Sequence, residues 1–254
     1  MRSVFERVAG PDPWSIAGLR RVWGLGIAGV MILAVSPYPV LGLISDDEIP
    51  HRIHNTVGAL QYLPLWAIPV LVFTVGRDRL AAWRLALASS LAIAATGVWS
   101  GDLVPSLSWM PLATLVVLWP GVHSWRPRRM TIDMLTPAVT AGVALWVAVT
   151  ESPHLVELQR LNMGDSHSVR FHFSGMAAAY IALALSTAVV LLYPVGPALR
   201  AVVAGSVATA GLCSLAWSNY ESALSHDKAL WLALAGGILA VEVAARAVLA
   251  RKVL

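Results

Sequence analysis

Long apolar runs, separated by short polar segments, dominate the chain. They predict eight helices, each long enough or nearly long enough to cross about 30 Å of hydrocarbon. Proline, glycine and charged residues in the intervening segments stop each helix. The expected helices are 22–44, 54–76, 80–100, 108–124, 131–150, 169–193, 197–217 and 229–250.

The composition supports a membrane protein. The chain is 57% hydrophobic and 13% charged, whereas a soluble domain carries about 25% charged residues. The net charge of +4 could suit nucleic acid, but the basic residues lie in short loops and form no continuous stripe, so no nucleic-acid partner is expected. The sequence therefore predicts an all-α, multi-pass protein of the cell membrane, surrounded by membrane lipids.

The charge distribution predicts the orientation. With the N-terminus in the cytoplasm, all but four of the 18 Lys and Arg residues fall on the cytoplasmic side, as the positive-inside rule requires. Both termini are then cytoplasmic. No small-residue cleavage site follows the first apolar run, so residues 1–21 are a cytoplasmic segment before an uncleaved first span. The four outer basic residues are Arg52, Arg160, Arg170 and Lys228.

The opposite, extracytoplasmic side collects most of the acidic residues and six of the seven histidines. Ionisable groups are costly within a bilayer and mark functional sites there. Chemistry or recognition is therefore expected on that side. Its histidines are His51, His54, His154, His167, His172 and His226.

An internal repeat is visible when the chain is shifted by 118 residues, the separation of Asp47 from Asp165. Two four-helix units, 22–125 and 126–254, are the natural interpretation. Because each unit has an even number of spans, a pseudo-twofold axis along the membrane normal should relate them. The other aligned pairs are Arg52 and Arg170, His54 and His172, Tyr62 and Tyr180, Thr96 and Ser214, and Trp99-Ser100 and Trp217-Ser218.

The repeated polar residues form the predicted site. Asp47 and His54 are two helical turns apart and can share one helix face, as can Asp165 and His172. These four are the candidate catalytic residues. The candidate ligand-binding residues are Arg52, Arg170, Tyr62, Tyr180, His51, His226 and Glu221.

Four interpretations of this site stay open. The residues can be interfacial side chains at the ends of spans, with their polar groups in contact with water. They can line one shared cavity that binds or modifies a lipid, isoprenoid or other small amphiphile, which is the leading hypothesis. His54 and His172 can instead be axial haem ligands, or His51 and His54 can join a metal site. An isoprenoid cyclase, with an outer carboxylate as acid, is the last alternative. The sequence does not decide whether the protein is an enzyme.

One stretch resembles a known family. It runs from Ser36-Pro37-Tyr38-Pro39 through His51-Arg52-Ile53-His54-Asn55 to Leu63-Pro64-Leu65-Trp66-Ala67-Ile68-Pro69. The pattern is similar to that of bacterial multi-helix membrane proteins grouped with the DRAM and Sfk proteins, in which a short histidine motif opens a span after a proline-bearing loop. The resemblance covers residues 25–125 and, more faintly, the second half. It implies an outer-face histidine and lipid-related roles.

A weaker likeness is to haem A synthase. Glu48-Ile49-Pro50-His51-Arg52 resembles the Glu-x-x-His-Arg motif that opens the second span of that duplicated, eight-helix family. The likeness implies haem as a cofactor. However, the fourth span here contains no histidine within 108–122, and the first outer loop contains no cysteine. These departures argue against two-haem chemistry.

The orientation can be tested by labelling. In a Cys213→Ala background, a cysteine at position 102 should react with an impermeant maleimide in intact cells, because that loop is outside. A cysteine at position 126 should react only after lysis. Labelling of 126 but not 102 in intact cells would contradict the orientation.

Overall fold

The computed structural model of the chain describes residues 15–44, 51–76, 78–101, 109–120, 127–129, 131–161, 172–220 and 222–252. These residues are almost entirely helical, with no strand among them. Seven helical stretches among these residues are long and apolar enough to cross a membrane, by length and composition. The all-helical, multi-pass class predicted from the sequence therefore agrees with the structure.

The helices are named here in chain order, and two other helical segments complete them. A π-helical segment covers Leu63–Ala67, and a 3-10 turn covers Ile132–Met134. The α-helices are α1 (Ile16–Val35), α2 (Pro37–Ile44), α3 (Arg52–Ala59), α4 (Ile68–Val75), α5 (Arg79–Ser100), α6 (Met110–Val117), α7 (Leu135–Leu161), α8 (His172–Leu192), α9 (Pro197–Ala216) and α10 (His226–Lys252).

The start of α1 and the ends of α6 and α7 differ from the prediction by six residues or more. Helix α1 begins at Ile16 rather than 22, because the Ser15 hydroxyl accepts a hydrogen bond from the Gly18 N–H at 3.1 Å and caps the helix. Helix α6 ends at Val117 rather than 124, just ahead of Pro120. Helix α7 continues to Leu161 rather than ending at 150.

The extension of α7 has a packing reason. Pro153 lies inside the helix, but the apolar face continues beyond it, since Leu155 and Val156 are buried. Gln159 on the same stretch is fully buried. The segment that was expected to be an outer loop is therefore two to three further helical turns packed against the protein.

The second span is not one regular helix. Between α3 and α4 the backbone N–H of Leu65 bonds to the carbonyl of Leu60 at 3.1 Å, and that of Ala67 to Tyr62 at 2.9 Å. These i to i−5 bonds define a π-helical turn. Pro64 and Pro69 cannot donate to a regular ladder, which explains why the irregularity falls here.

Helix α8 is the centre of the main core. It packs against α7, α5 and α3, and less extensively against α9. Small side chains dominate its buried face, and they let neighbouring backbones approach closely. A second apolar cluster joins α1, the π-helical segment, α4, α5 and α6. The small buried residues of α8 are Ser174, Ala177, Ala178, Ala179, Ala182, Ala184, Ser186 and Thr187.

Helices α9 and α10 meet through glycine. A Cβ added to Gly211 would overlap the backbone of Ala233, and one added to Gly236 would overlap the backbone of Ala208. Dispersion contacts and backbone proximity drive such pairings within lipid, so only glycine fits at these two positions. Gly237 is different, because no atom lies within 4 Å of the Cβ it would gain.

Gly236→Ala and Gly237→Ala form a matched pair that tests this contact. Gly236→Ala should destabilise the protein by about 1–3 kcal/mol, the usual cost of overpacking. For a chain of this size that lowers the unfolding midpoint by roughly 2–4 °C per kcal/mol. Gly237→Ala should leave the midpoint unchanged or raise it slightly. Equal midpoints for the two detergent-purified variants would contradict the close approach.

Candidate histidine site

Three histidines from distant parts of the chain meet at one end of the helical bundle. His51 immediately precedes α3, His54 lies in its first turn, and His172 opens α8. One ring nitrogen from each lies within 4.8 Å of the others. His51 and His54 are buried, with 8% and 6% of their surface exposed, and His172 is half-buried. The structure therefore brings three of the predicted site residues into one cluster.

The three rings are in direct contact. Nδ1 of His51 and Nδ1 of His172 are 3.1 Å apart, and their ring centroids are 4.7 Å apart at 62°. The rings of His54 and His172 stack with centroids 5.1 Å apart at 29°. A hydrogen bond between two imidazole nitrogens needs one N–H and one lone pair, so at least one of the His51 and His172 rings is neutral.

His54 is oriented by two further residues. Its Nε2 forms a short hydrogen bond with the hydroxyl of Ser222, which is buried in the segment between α9 and α10. The ring of Phe173 meets it edge-on, with centroids 5.4 Å apart. If Ser222 accepts the Nε2 proton, Nδ1 of His54 carries the lone pair. One of the Nδ1 atoms of His51 and His172 holds the proton of the bond between them, so a metal ion bound to Nδ1 of all three rings would have to displace that proton.

Amide side chains hold α8 in place beneath the cluster. The Ser174 N–H, in the first turn of α8, donates to Oε1 of Gln159 at 3.2 Å. The Gln61 amide donates to the Gly175 carbonyl at 2.9 Å. A helix start has unpaired N–H groups that must find partners, so Gln159 acts as a cap supplied by α7. These bonds fix the first turn of α8, which carries His172.

The remaining predicted residues fall in different places. Arg52 opens α3 and is half-buried, Tyr62 lies half-buried at the π-helical segment, and Tyr180 is buried in the core. His226 is exposed at the start of α10 and lies outside the histidine cluster. Four predicted site residues lie outside the described part of the chain: Asp47, Asp165, Arg170 and Glu221.

A charged pair ties α7 to α10 near the same end of the bundle. Lys228 forms a short ion pair with Glu151, and both side chains are largely buried. The Lys228 ammonium also lies 5.8 Å from the centroid of the Trp146 ring, within cation–π range. The Glu151 carboxylate is therefore paired with a lysine in a separate contact and is not part of the histidine cluster.

The cluster suits a metal ion better than haem. An axial pair must place its two imidazoles on opposite faces of a porphyrin, whereas the rings of His54 and His172 stack directly on each other. No porphyrin plane fits between them. Three neutral imidazole nitrogens close together are, in contrast, a familiar ligand set for Zn²⁺ and neighbouring transition metals.

Sequence reasoning did not single out Ser222, Gln61 or Gln159. Ser222 follows Glu221 in the predicted last outer loop, but a serine in a loop has no distinguishing pattern. The two glutamines could have been identified from the sequence, because a neutral amide beside apolar residues needs hydrogen-bond partners once it is buried. Which backbone groups they bond depends on helices far apart in sequence.

Comparisons with protein families, with curated proteins and with solved structures found no match to this chain.

Ser222→Ala tests the contact with His54. Removing the hydroxyl leaves a buried imidazole nitrogen without that partner, which should cost about 1–3 kcal/mol of folding free energy. Ser218→Ala is the matched control, because Ser218 also lies in the segment between α9 and α10 and is exposed; it should change stability by less than about 0.5 kcal/mol. Thermal unfolding in detergent measures both. Equal effects would argue against the His54–Ser222 bond.

Proposed function

We propose that this chain is a multi-pass membrane protein that binds a divalent transition-metal ion through His51, His54 and His172. The observation that carries the proposal is the convergence of three ring nitrogens within 4.8 Å. His51 and His54 come from one half of the chain and His172 from the other. The functional centre therefore belongs to both halves and forms only when they pack together.

The spacing of the nitrogens supports a tetrahedral ion. Zn²⁺ holds imidazole nitrogens at about 2.0–2.1 Å, which places two ligands of a tetrahedron about 3.3 Å apart. The Nδ1 atoms of His51 and His172 are 3.1 Å apart, so this pair needs little adjustment. The His54 nitrogen lies within 4.8 Å of the other two and must move by up to about 1.5 Å to reach the roughly 3.3 Å spacing of a tetrahedral site. Ser222 would then fix the orientation of His54 through its second nitrogen, as partners of metal-bound histidines do.

Three protein ligands leave one coordination position for water or a ligand. A metal lowers the pKa of a bound water to about 7 and generates a nucleophile at neutral pH. Because the cluster lies at the ends of α3 and α8, this water would be at the depth of lipid headgroups. We therefore propose that this site performs the amphiphile-binding or amphiphile-modifying function predicted from the sequence.

The tandem repeat is part of the proposal, and contacts between equivalent residues support it. Residues related by a twofold axis can touch only beside that axis. His54 and His172, equivalent under the shift of 118 residues, stack on each other. At the other end of the same spans, Asp78 is equivalent to Gly196, and a Cβ on Gly196 would overlap the Asp78 carboxylate. The two pairs lie at opposite ends of spans about 30 Å long, which supports an axis running along the spans.

The neighbours of each helix support the same axis. Helix α5 packs on α8 of the second half, and α9 packs on α3 of the first half. Within the units, α5 contacts α6 as α9 contacts α10. This reciprocal pattern is expected of two four-helix units, 22–125 and 126–254. Together with the charge distribution, it supports eight spans with both termini in the cytoplasm.

Zinc content tests the metal site. Detergent-purified protein, stripped with a chelator, incubated with Zn²⁺ and desalted, should retain about one ion per chain, the capacity of a single three-histidine site. His54→Ala and His172→Ala should each weaken retention by more than the roughly 10–100-fold typical of losing a supporting residue, and Ser222→Ala by roughly that amount. Plasma mass spectrometry measures the ratio.

His154→Ala is the matched control, because His154 is an exposed histidine on α7. It should retain zinc like the wild type. Size-exclusion chromatography checks that every variant is folded. The proposal is wrong if the wild type retains no more zinc than a variant in which all three clustered histidines are alanine.

A further inference from the structure

A basic cavity lies at the other end of the first half of the bundle, away from the histidines. Its volume is about 510 Å³, and it is bounded by α1, α4, α5 and the residues after α6. Three arginines line it: Arg20 and Arg21 from α1, and Arg79 from the start of α5. Phe73 and Trp119 contribute its aromatic walls.

The three arginines concentrate positive charge that no carboxylate among the described residues balances. Within the described part of the chain, none of them forms an ion pair, and no acidic residue lines the cavity. Arg79 lies beside the Phe73 ring, 5.9 Å from its centroid. The nearby Asp78 carboxylate is directed at Gly196 instead. Such a cavity is complementary to a phosphate group, which arginine binds through paired N–H groups.

An apolar groove continues from this cavity along the outer face of α1. The groove has a volume of about 810 Å³ and shares Arg20 with the cavity. It extends from Ile16 to Val30, with Val116 and Val117 of α6 as its other wall. That is about 21 Å of helix, more than half of the roughly 30 Å hydrocarbon thickness of a bilayer.

We propose that the cavity and the groove together bind one anionic phospholipid from the bilayer leaflet that surrounds this end of the bundle. The phosphate contacts Arg20, Arg21 and Arg79, and one acyl chain lies in the groove between α1 and α6. Trp119 lines the cavity and Trp23 lines the groove. Both are exposed, at the depth where indole rings favour the membrane interface. Basic pockets between spans recognise anionic headgroups by the same chemistry. The site is independent of the histidine cluster.

Lipid retention by the whole chain tests the proposal. Protein stripped of lipid in detergent is titrated with mixed micelles of phosphatidylglycerol or of phosphatidylcholine, and retained lipid is counted by native mass spectrometry. Phosphatidylglycerol should be retained preferentially, and inorganic phosphate should not displace it, since the acyl chain contributes to binding. Equal retention of both lipids, or displacement by phosphate alone, would overturn the proposal and, in the second case, indicate a free-anion site.

Matched variants test separately whether the cavity binds the phosphate and whether the groove binds the acyl chain. Arg20→Gln, Arg21→Gln and Arg79→Gln should each weaken phosphatidylglycerol retention about fivefold, whereas Arg129→Gln, the same change at an exposed arginine, should not. Gly26→Leu should block the groove that Gly26 lines, whereas Gly29→Leu should not, although both glycines have open space around an added Cβ. Loss of retention in either control, or none in the test variants, would overturn the assignment.

Discussion

The need to pair every polar group inside an apolar environment governs this structure. Lipid offers no hydrogen bonds, so spanning segments are helical and their irregularities must be compensated by the protein itself. The π-helical turn in the second span is compensated in this way, because the carbonyl of Gln61 accepts a hydrogen bond from the Ser89 hydroxyl at 2.5 Å. Arg128 donates to the carbonyls of Val190 and Leu191 at 2.9 and 3.0 Å and thereby closes the end of α8.

Charge inside the bundle follows the same rule. Arg84 is buried in α5, with 4% of its surface exposed, and its guanidinium lies 4.0 Å from the centroid of the Tyr193 ring. Arg84 lies in the second turn of α5, where charge costs less than the roughly 2.5–3.5 kcal/mol of the span centre, and a desolvated cation–π contact contributes about 2 kcal/mol of stabilisation. A neutral imidazole carries no such cost, and the bond between His51 and His172 requires at least one of these two rings to be neutral.

The close approach of α3 and α8 makes the histidine cluster possible. Gly58 and Gly175 face each other where these helices meet, and a Cβ on Gly58 would lie 3.9 Å from the Gly175 backbone. Larger residues at both positions would move the helices apart and separate the rings of His54 and His172. Packing of small residues along the spans is therefore a condition for the histidine cluster at their end.

The sequence by itself determined the helical class and most helix positions, and it singled out His54 and His172, because hydrophobic length and the repetition of rare polar residues are local, readable signals. It did not determine that α7 continues past Pro153, that the second span contains a π-helical turn, or that Ser222 contacts His54. Nor could it place His51 against His172, 121 residues away. Those features depend on which helices pack together and how closely, and that is decided by side-chain volumes and hydrogen-bond partners brought together only in the folded bundle.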